Sequence, residues 1–123
     1  MKKKIYLKGL GDNFRGLNDF QYKVGEVFRV DADDTWRWLF FTTHIETAIR
    51  YGKRIVEVEP ITLPCTLFGQ DALCAQSIRI LRELPMTEIL ARLALRPLRK
   101  KEVQFCLKQL NMLPKDERQE ALP

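Results

Sequence analysis

Trp36-Arg37-Trp38-Leu39-Phe40-Phe41-Thr42-Thr43-His44-Ile45-Glu46-Thr47-Ala48-Ile49-Arg50-Tyr51-Gly52-Lys53-Arg54-Ile55-Val56-Glu57-Val58-Glu59-Pro60 is the stretch that decides the fold. Its first part, Trp36 to Thr42, is apolar and aromatic, the composition of a half-buried strand. Thr43 and Glu46 then stand at the spacing of a capping box, in which the hydroxyl takes one orphan helix amide and the carboxylate reaches back for another. Ile45, Ala48 and Ile49 recur at helical spacing, which predicts a helix running to about Tyr51 with Gly52 as its stop. Arg54 to Glu59 alternates charged and apolar residues and predicts a second strand. The alternation is imperfect, so either Val56 and Val58 form its inner face or Ile55 sits in a twist.

Before this unit, Lys3 to Lys8 reads as a strand with Ile5 and Leu7 on one face, ended by Gly9 and Gly11. Phe20 to Val30 reads as a strand pair or long bent strand, since Tyr22, Val24, Val27 and Val30 are β-formers and Gly25 interrupts them. Asp31 to Asp34 is a solvated turn; its acids lack the glycine and terminal glutamate of a calcium loop. After the unit, Thr66-Leu67-Phe68 and Ala75 to Leu81 each predict a strand. Pro85 opens a helix carrying Ile89, Leu90, Leu93 and Leu95, and Pro97 ends it. A second helix, about Arg99 to Met112, places Val103, Cys106, Leu107 and Leu110 on one side. The expected class is therefore α+β: a small, largely antiparallel twisted sheet with one short helix inserted and a helical C-terminal region. The expected organisation is a sheet domain over 1–84, a helical region over 85–113 that packs on it or forms an arm, and a mobile tail over 114–123.

A chain of 123 residues, 46% hydrophobic and 30% charged, has the size and balance of one soluble domain with its own core. Its apolar runs fall short of a membrane span, and the segment after Met1-Lys2-Lys3-Lys4 is too short for a signal-peptide core. A cytoplasmic protein is expected. Cys65, Cys74 and Cys106 show no metal-ligand spacing and read as free thiols buried as small apolar groups; His44 is the single histidine. The net charge of +5 gathers at the ends, in Lys2, Lys3 and Lys4 and in Arg92, Arg96, Arg99, Lys100 and Lys101. Such clusters suit an acidic protein surface or nucleic acid. The Arg92 to Lys101 run lacks an aromatic residue for base stacking. Trp36, Trp38 and Phe40 share one strand face, which is either the main core, the expected reading, or a platform for a partner.

Two resemblances centre on Tyr6 to Pro60. Lys8-Gly9-Leu10, Phe20 to Gly25, Leu39-Phe40-Phe41-Thr42, Ala48 to Tyr51 and Val56-Glu57-Val58-Glu59 together resemble a small domain carried by phage and prophage proteins, and Ser77 to Leu84 resembles the segment that closes it. That resemblance implies a non-catalytic accessory protein that binds and modulates a host macromolecule, such as an inhibitor of host defence, in the bacterial host cytoplasm. The partner expected is a host protein or a protein–nucleic acid complex, met through Arg92, Arg96, Arg99, Lys100 and Lys101. Val24-Gly25, Phe40-Phe41-Thr42, Ala48 and Val58-Glu59-Pro60 are also similar to the front half of the small ADP-ribosyltransferase fold. This implies the alternative, an NAD-dependent transferase with Glu57 and Glu59 as catalytic carboxylates and Lys8 and Thr42 at the cofactor. In that fold a His or Arg stands where this chain has Lys8, a flexible point charge that reaches a phosphate but supplies no fixed imidazole hydrogen bond. A third reading is nucleic-acid binding through the basic ends.

Overall fold

A computed structural model describes residues 4–16, 21–31, 33, 37–66 and 72–112. Among the described residues seven strands, β1 (Tyr6–Leu10), β2 (Val27–Arg29), β3 (Leu39–Thr42), β4 (Arg54–Pro60), β5 (Cys65–Thr66), β6 (Ala72–Ala75) and β7 (Ser77–Glu83), form one sheet in the order β2-β7-β4-β1-β3-β6-β5. Every adjacent pair is antiparallel. Three helices lie among the described residues: α1 (Ile45–Tyr51), α2 (Met86–Ala94) and α3 (Lys100–Gln109). The α+β class expected from the sequence is what the chain adopts.

Both faces of the sheet are covered. On one, Leu7 and Ile55 pack with Ile45, Ala48 and Ile49 of α1, Ile89 and Leu93 of α2, and Cys106 and Leu110 at α3. The C-terminal helices therefore share a core with the sheet and do not stand apart as an arm. On the other, Leu10, Leu39, Phe41, Val56, Val58, Ala75, Ile78 and Ile80 gather around Tyr22, with Phe14 and Phe28 packed against them. Two buried faces explain the broken alternation in β4: Ile55 and Val56 are both fully buried, one on each side, and the ladder with β7 shifts register between Glu57 and Val58.

Several local expectations are corrected. β1 continues through Gly9 because a side chain there would collide with α1: a Cβ would lie 1.9 Å from the Ala48 carbonyl oxygen. The glycine admits the helix rather than ending the strand. Among the described residues of the stretch from Phe20 to Val30, the strand is Val27–Arg29, following a turn at Gly25, where φ is +90°. Along β3 Leu39, Phe41 and Thr42 are buried while Phe40 is half-buried, so the one ring of the expected aromatic face that lies in β3 is only partly covered; Trp36 lies outside the described residues. The capping box is replaced. His44 is the N-cap and its side chain makes no capping bond, the Thr42 hydroxyl accepts the His44 backbone N–H at 3.1 Å, and Glu46 turns to Arg96. Leu95 is exposed, whereas Ile89 and Leu93 are buried. Residues 67 and 68 and the expected tail lie outside the described residues.

Candidate functional site

The sheet is least complete between β1 and β3. Their ladder holds one registered pair, Leu7 with Thr42, whereas β1 and β4 share five. In the gap beside that pair lies a narrow cleft of about 30 Å³, lined by Lys8 and Gly9 of β1, Phe40 and Thr42 of β3, and Thr47 and Tyr51 of α1. This is room for one or two water molecules.

Lys8 is the unusual group here. Its side chain is buried, its ammonium donates to the Phe40 carbonyl, and it sits 5.3 Å from the centre of the Tyr22 ring. The carbonyl replaces part of the lost hydration and the ring face adds a cation–π attraction. Neither neutralises the charge. Burial pulls the Lys8 ammonium down to about 8, and the same burial pushes the Tyr22 phenol upward. An amine that loses its proton near pH 8 rather than above 10, held at the side of a cleft, is chemically able to act as a hydrogen-bond donor, a point charge or a base.

Of the residues expected at a cofactor, Lys8 and Thr42 are thus brought to one cleft. Glu57 and Glu59 are not. β1 and β4 are paired neighbours, with Leu7 opposite Glu57 and Lys8 opposite Val56, so the ladder leaves no room for a cofactor between those strands. The two glutamates do share a face, as their spacing requires, but it is the face opposite Lys8. Glu57 accepts from Arg82 at 2.8 Å, and Arg82 also forks onto Glu88 of α2. Glu59 is exposed, 3.8 Å from Arg79. Arg82 holds the Glu88 carboxyl down at about 2. These groups tie β4, β7 and α2 together.

The basic C-terminal residues divide into two sets. Arg92 pairs with Glu88 at 3.1 Å one turn earlier. Arg96 reaches back to α1 and grips Glu46 with Nε and a terminal nitrogen at 2.7–3.0 Å, with His44 Nδ1 3.3 Å away. Glu46 is buried, so this bidentate pair fixes the end of α2 on the start of α1. Arg99, Lys100 and Lys101 are exposed. On the same outer side of α3, Phe105 is 49% exposed and Lys108 is exposed. Lys101, Phe105 and Lys108 follow one another at spacings of four and three, which aligns them along a single helix stripe. Sequence reading missed Phe105 because it counted the neighbouring apolar residues toward the core; the helical phase of Lys101 and Lys108 was the signal that sets it outside.

A wider groove of about 470 Å³ lies between β4, β7 and the ends of α2 and α3, with Ile89 and Leu110 at its floor and the Arg54–Glu83 pair at its rim. Among the described residues, no cluster of three or more His, Cys, Asp or Glu side chains is placed to hold a metal ion, and no helix is long and apolar enough to cross a membrane. Neither any protein-family model nor any curated protein matches this chain.

Proposed function

We propose that the protein acts by binding an acidic surface of another macromolecule through the outer face of α3, as a small accessory protein of the phage type. The observation that supports this reading is the stripe Lys101, Phe105 and Lys108 with Arg99 and Lys100 beside it, exposed on a helix whose other side is bound into the core. Arg92 and Arg96, expected among the contact residues, are partly exposed and paired with Glu88 and Glu46 of the same chain, so this reading gives them the lesser part. The contact set becomes Arg99, Lys100, Lys101, Phe105 and Lys108. An exposed aromatic ring between cations combines apolar area with electrostatic steering, the mixture found at the anchors of protein interfaces. The phage setting, the host macromolecule as target and a role in blocking host defence rest on the resemblance alone.

The test is capture from a lysate of a bacterial host, treated with nuclease, by the wild-type chain and by the Lys101→Glu/Lys108→Glu variant. A stoichiometric protein retained by the wild type and lost at least about tenfold by the variant, a change of roughly 1.4 kcal/mol, is the expected result. Equal retention by both would remove α3 from the function. Capture that disappears with nuclease would replace the protein target by nucleic acid, for which steep salt dependence is the signature.

A second reading, NAD-dependent ADP-ribosyl transfer, draws support from Lys8 and Thr42 sharing a cleft. It requires that cleft to open well beyond its present volume, since ligand pockets run to roughly 300 Å³ or more. It also requires a carboxylate other than Glu57 or Glu59 on the Lys8 side. NAD consumption that survives both Glu57→Gln and Glu59→Gln but falls with Lys8→Met would fit this geometry, and the absence of consumption by the wild type ends the reading.

A further inference from the structure

β5 contributes two residues to the sheet, and its ladder with β6 sets Cys65 opposite Cys74 and Thr66 opposite Leu73. Directly opposed residues of an antiparallel pair carry their side chains on one face. Their Cα atoms stand about 4.5 Å apart in a non-hydrogen-bonded pair and about 5.5 Å in a hydrogen-bonded one. Both values fall within the roughly 4.4–6.8 Å that a disulfide spans. Both thiols are free; Cys65 is exposed on the outermost strand, while Cys74 is fully buried and is held on its other side by β3, opposite Phe40. The third thiol, Cys106, belongs to the helix-side core. The expectation of three buried thiols is therefore corrected at Cys65, and the exposed one has a fixed partner.

We propose that Cys65 and Cys74 form a redox-active dithiol whose co-substrate is a low-molecular-weight disulfide. The Cys65 thiolate attacks one sulfur of the small disulfide, forms a mixed disulfide and expels one small thiolate. Cys74 Sγ then attacks Cys65 Sγ, the mixed S–S bond breaks, the second small thiolate leaves and the cross-strand bond closes. Two electrons pass from the cysteine pair to the small disulfide, and the two cysteine protons end on the two released thiols. Access sets the order, because Cys65 is the member of the pair reached from solvent and Cys74 is the one held in place. Burial and the neighbouring Cys65 charge push the Cys74 thiol upward. Once Cys65 is in the mixed disulfide, its charge is gone and that part of the push is relieved. The closed bond makes a two-residue edge strand a covalent part of the sheet, and β6, to which it is tied, borders the Lys8 cleft through Ala72. Intracellular disulfides are for the most part of this transient kind.

The test uses the full chain in mixtures of oxidised and reduced glutathione, followed by rapid alkylation and peptide mass mapping. The expected product joins the Cys65 and Cys74 peptides, is lighter by two hydrogens than the reduced pair, and leaves Cys106 open to alkylation after unfolding; dithiothreitol reverses it. Cys65→Ser changes an exposed edge position and is expected to fold. In that variant Cys74 should stay unreacted in the native protein, whereas Cys74→Ser should halt at glutathione on Cys65. A wild-type product that stops at the mixed disulfide, a covalent dimer through Cys65, a bond to Cys106, or glutathione on Cys74 in the Cys65→Ser variant would each overturn the proposal.

Discussion

The two edges of β1 are built differently. Toward β4 it forms an unbroken ladder from Tyr6 with Val58 to Leu10 with Arg54, and β4 continues the sheet into β7. Toward β3 the ladder is down to Leu7 with Thr42. On the complete side, side chains add an ion network, Glu57 to Arg82 to Glu88, above strands already joined by their backbones. On the open side a lysine ammonium bonds a backbone carbonyl that faces the gap. Gly9 lets the backbone of α1 approach β1 beside that gap. The comparison teaches that the open edge is a place where side-chain choice, not ladder pairing, holds the fold, and that it tolerates a buried charge there.

The sharpest way to break this contrast is Gly9→Ala. The added methyl would meet the Ala48 carbonyl at less than van der Waals separation, and backbone cannot rotate away as a side chain can. α1 must shift together with the core residues it carries. The expected loss is on the order of 4 kcal/mol or more, in the range reserved for severe core disruption, read by denaturant unfolding. A loss below about 1 kcal/mol would show that α1 is not seated on β1.

Lys8→Met addresses the charge itself. The folded-state value of about 8 lies below the ordinary 10.5 of an unfolded lysine, so the native state sheds this proton first. The penalty is full below pH 8, and stability rises as the pH climbs from 8 toward 10.5. Tyr22 works the other way above pH 10, because burial raises its phenol and stability falls once the unfolded chain begins to ionise. The clean window is therefore pH 8 to 10. At pH 7 the methionine variant should be more stable by on the order of 2 kcal/mol, after allowing for the Phe40 carbonyl left without its donor, and its stability should lose the rise across that window. A variant less stable than the wild type at pH 7 would mean that the Phe40 bond outweighs the buried charge.

The smallest effect belongs to the complete edge. In Glu88→Gln the ladder survives and Arg82 keeps Glu57, and since Arg82 is 42% exposed water screens the loss. About 1 kcal/mol is expected. The Glu88 carboxyl is depressed from its ordinary 4.5 to about 2, so its contribution is present above pH 4.5 and disappears as the pH falls toward 2. Acid unfolding of the glutamine variant should be flatter over that interval. An effect as large as that of Gly9→Ala would make the network, not the ladder, the support of this side.

How much of this was legible varies with the range of the interaction. α1, β4, α2 and α3 were readable because each carries its own period: Ile45, Ala48 and Ile49 on one stripe, the alternation through Val56 and Val58, and the apolar spacings of the C-terminal helices. Glu46 shows where that reading fails. Its position three residues after Thr43 fits a cap, yet Arg96, fifty residues on, offers a charged fork with two strong hydrogen bonds and takes the carboxylate instead. Arg96 looked like the middle of a basic surface for the same reason, since a linear count of charge does not reveal a partner brought up by folding. The partner of Arg92, Glu88, by contrast stands one turn earlier on the same helix, at a spacing the sequence shows. At the candidate sites the residue types were legible and their grouping was not. Lys8 and Thr42 line one cleft, Glu57 and Glu59 turn to the face opposite Lys8, and Phe105 joins Lys101 and Lys108 once the helix has a buried side.

The sequence by itself determined the class of the fold and most of its elements, because periods of two and 3.6 residues are local properties that select strand and helix before any contact is made. Tertiary structure alone decided the splayed edge beside Lys8, the pairing of Arg96 with Glu46 and the opposition of Cys65 and Cys74. Each depends on register between segments distant in the chain, or on how closely a helix backbone approaches a strand. Those quantities are set by the packing of two cores against one sheet, to which residues from every part of the chain contribute at once.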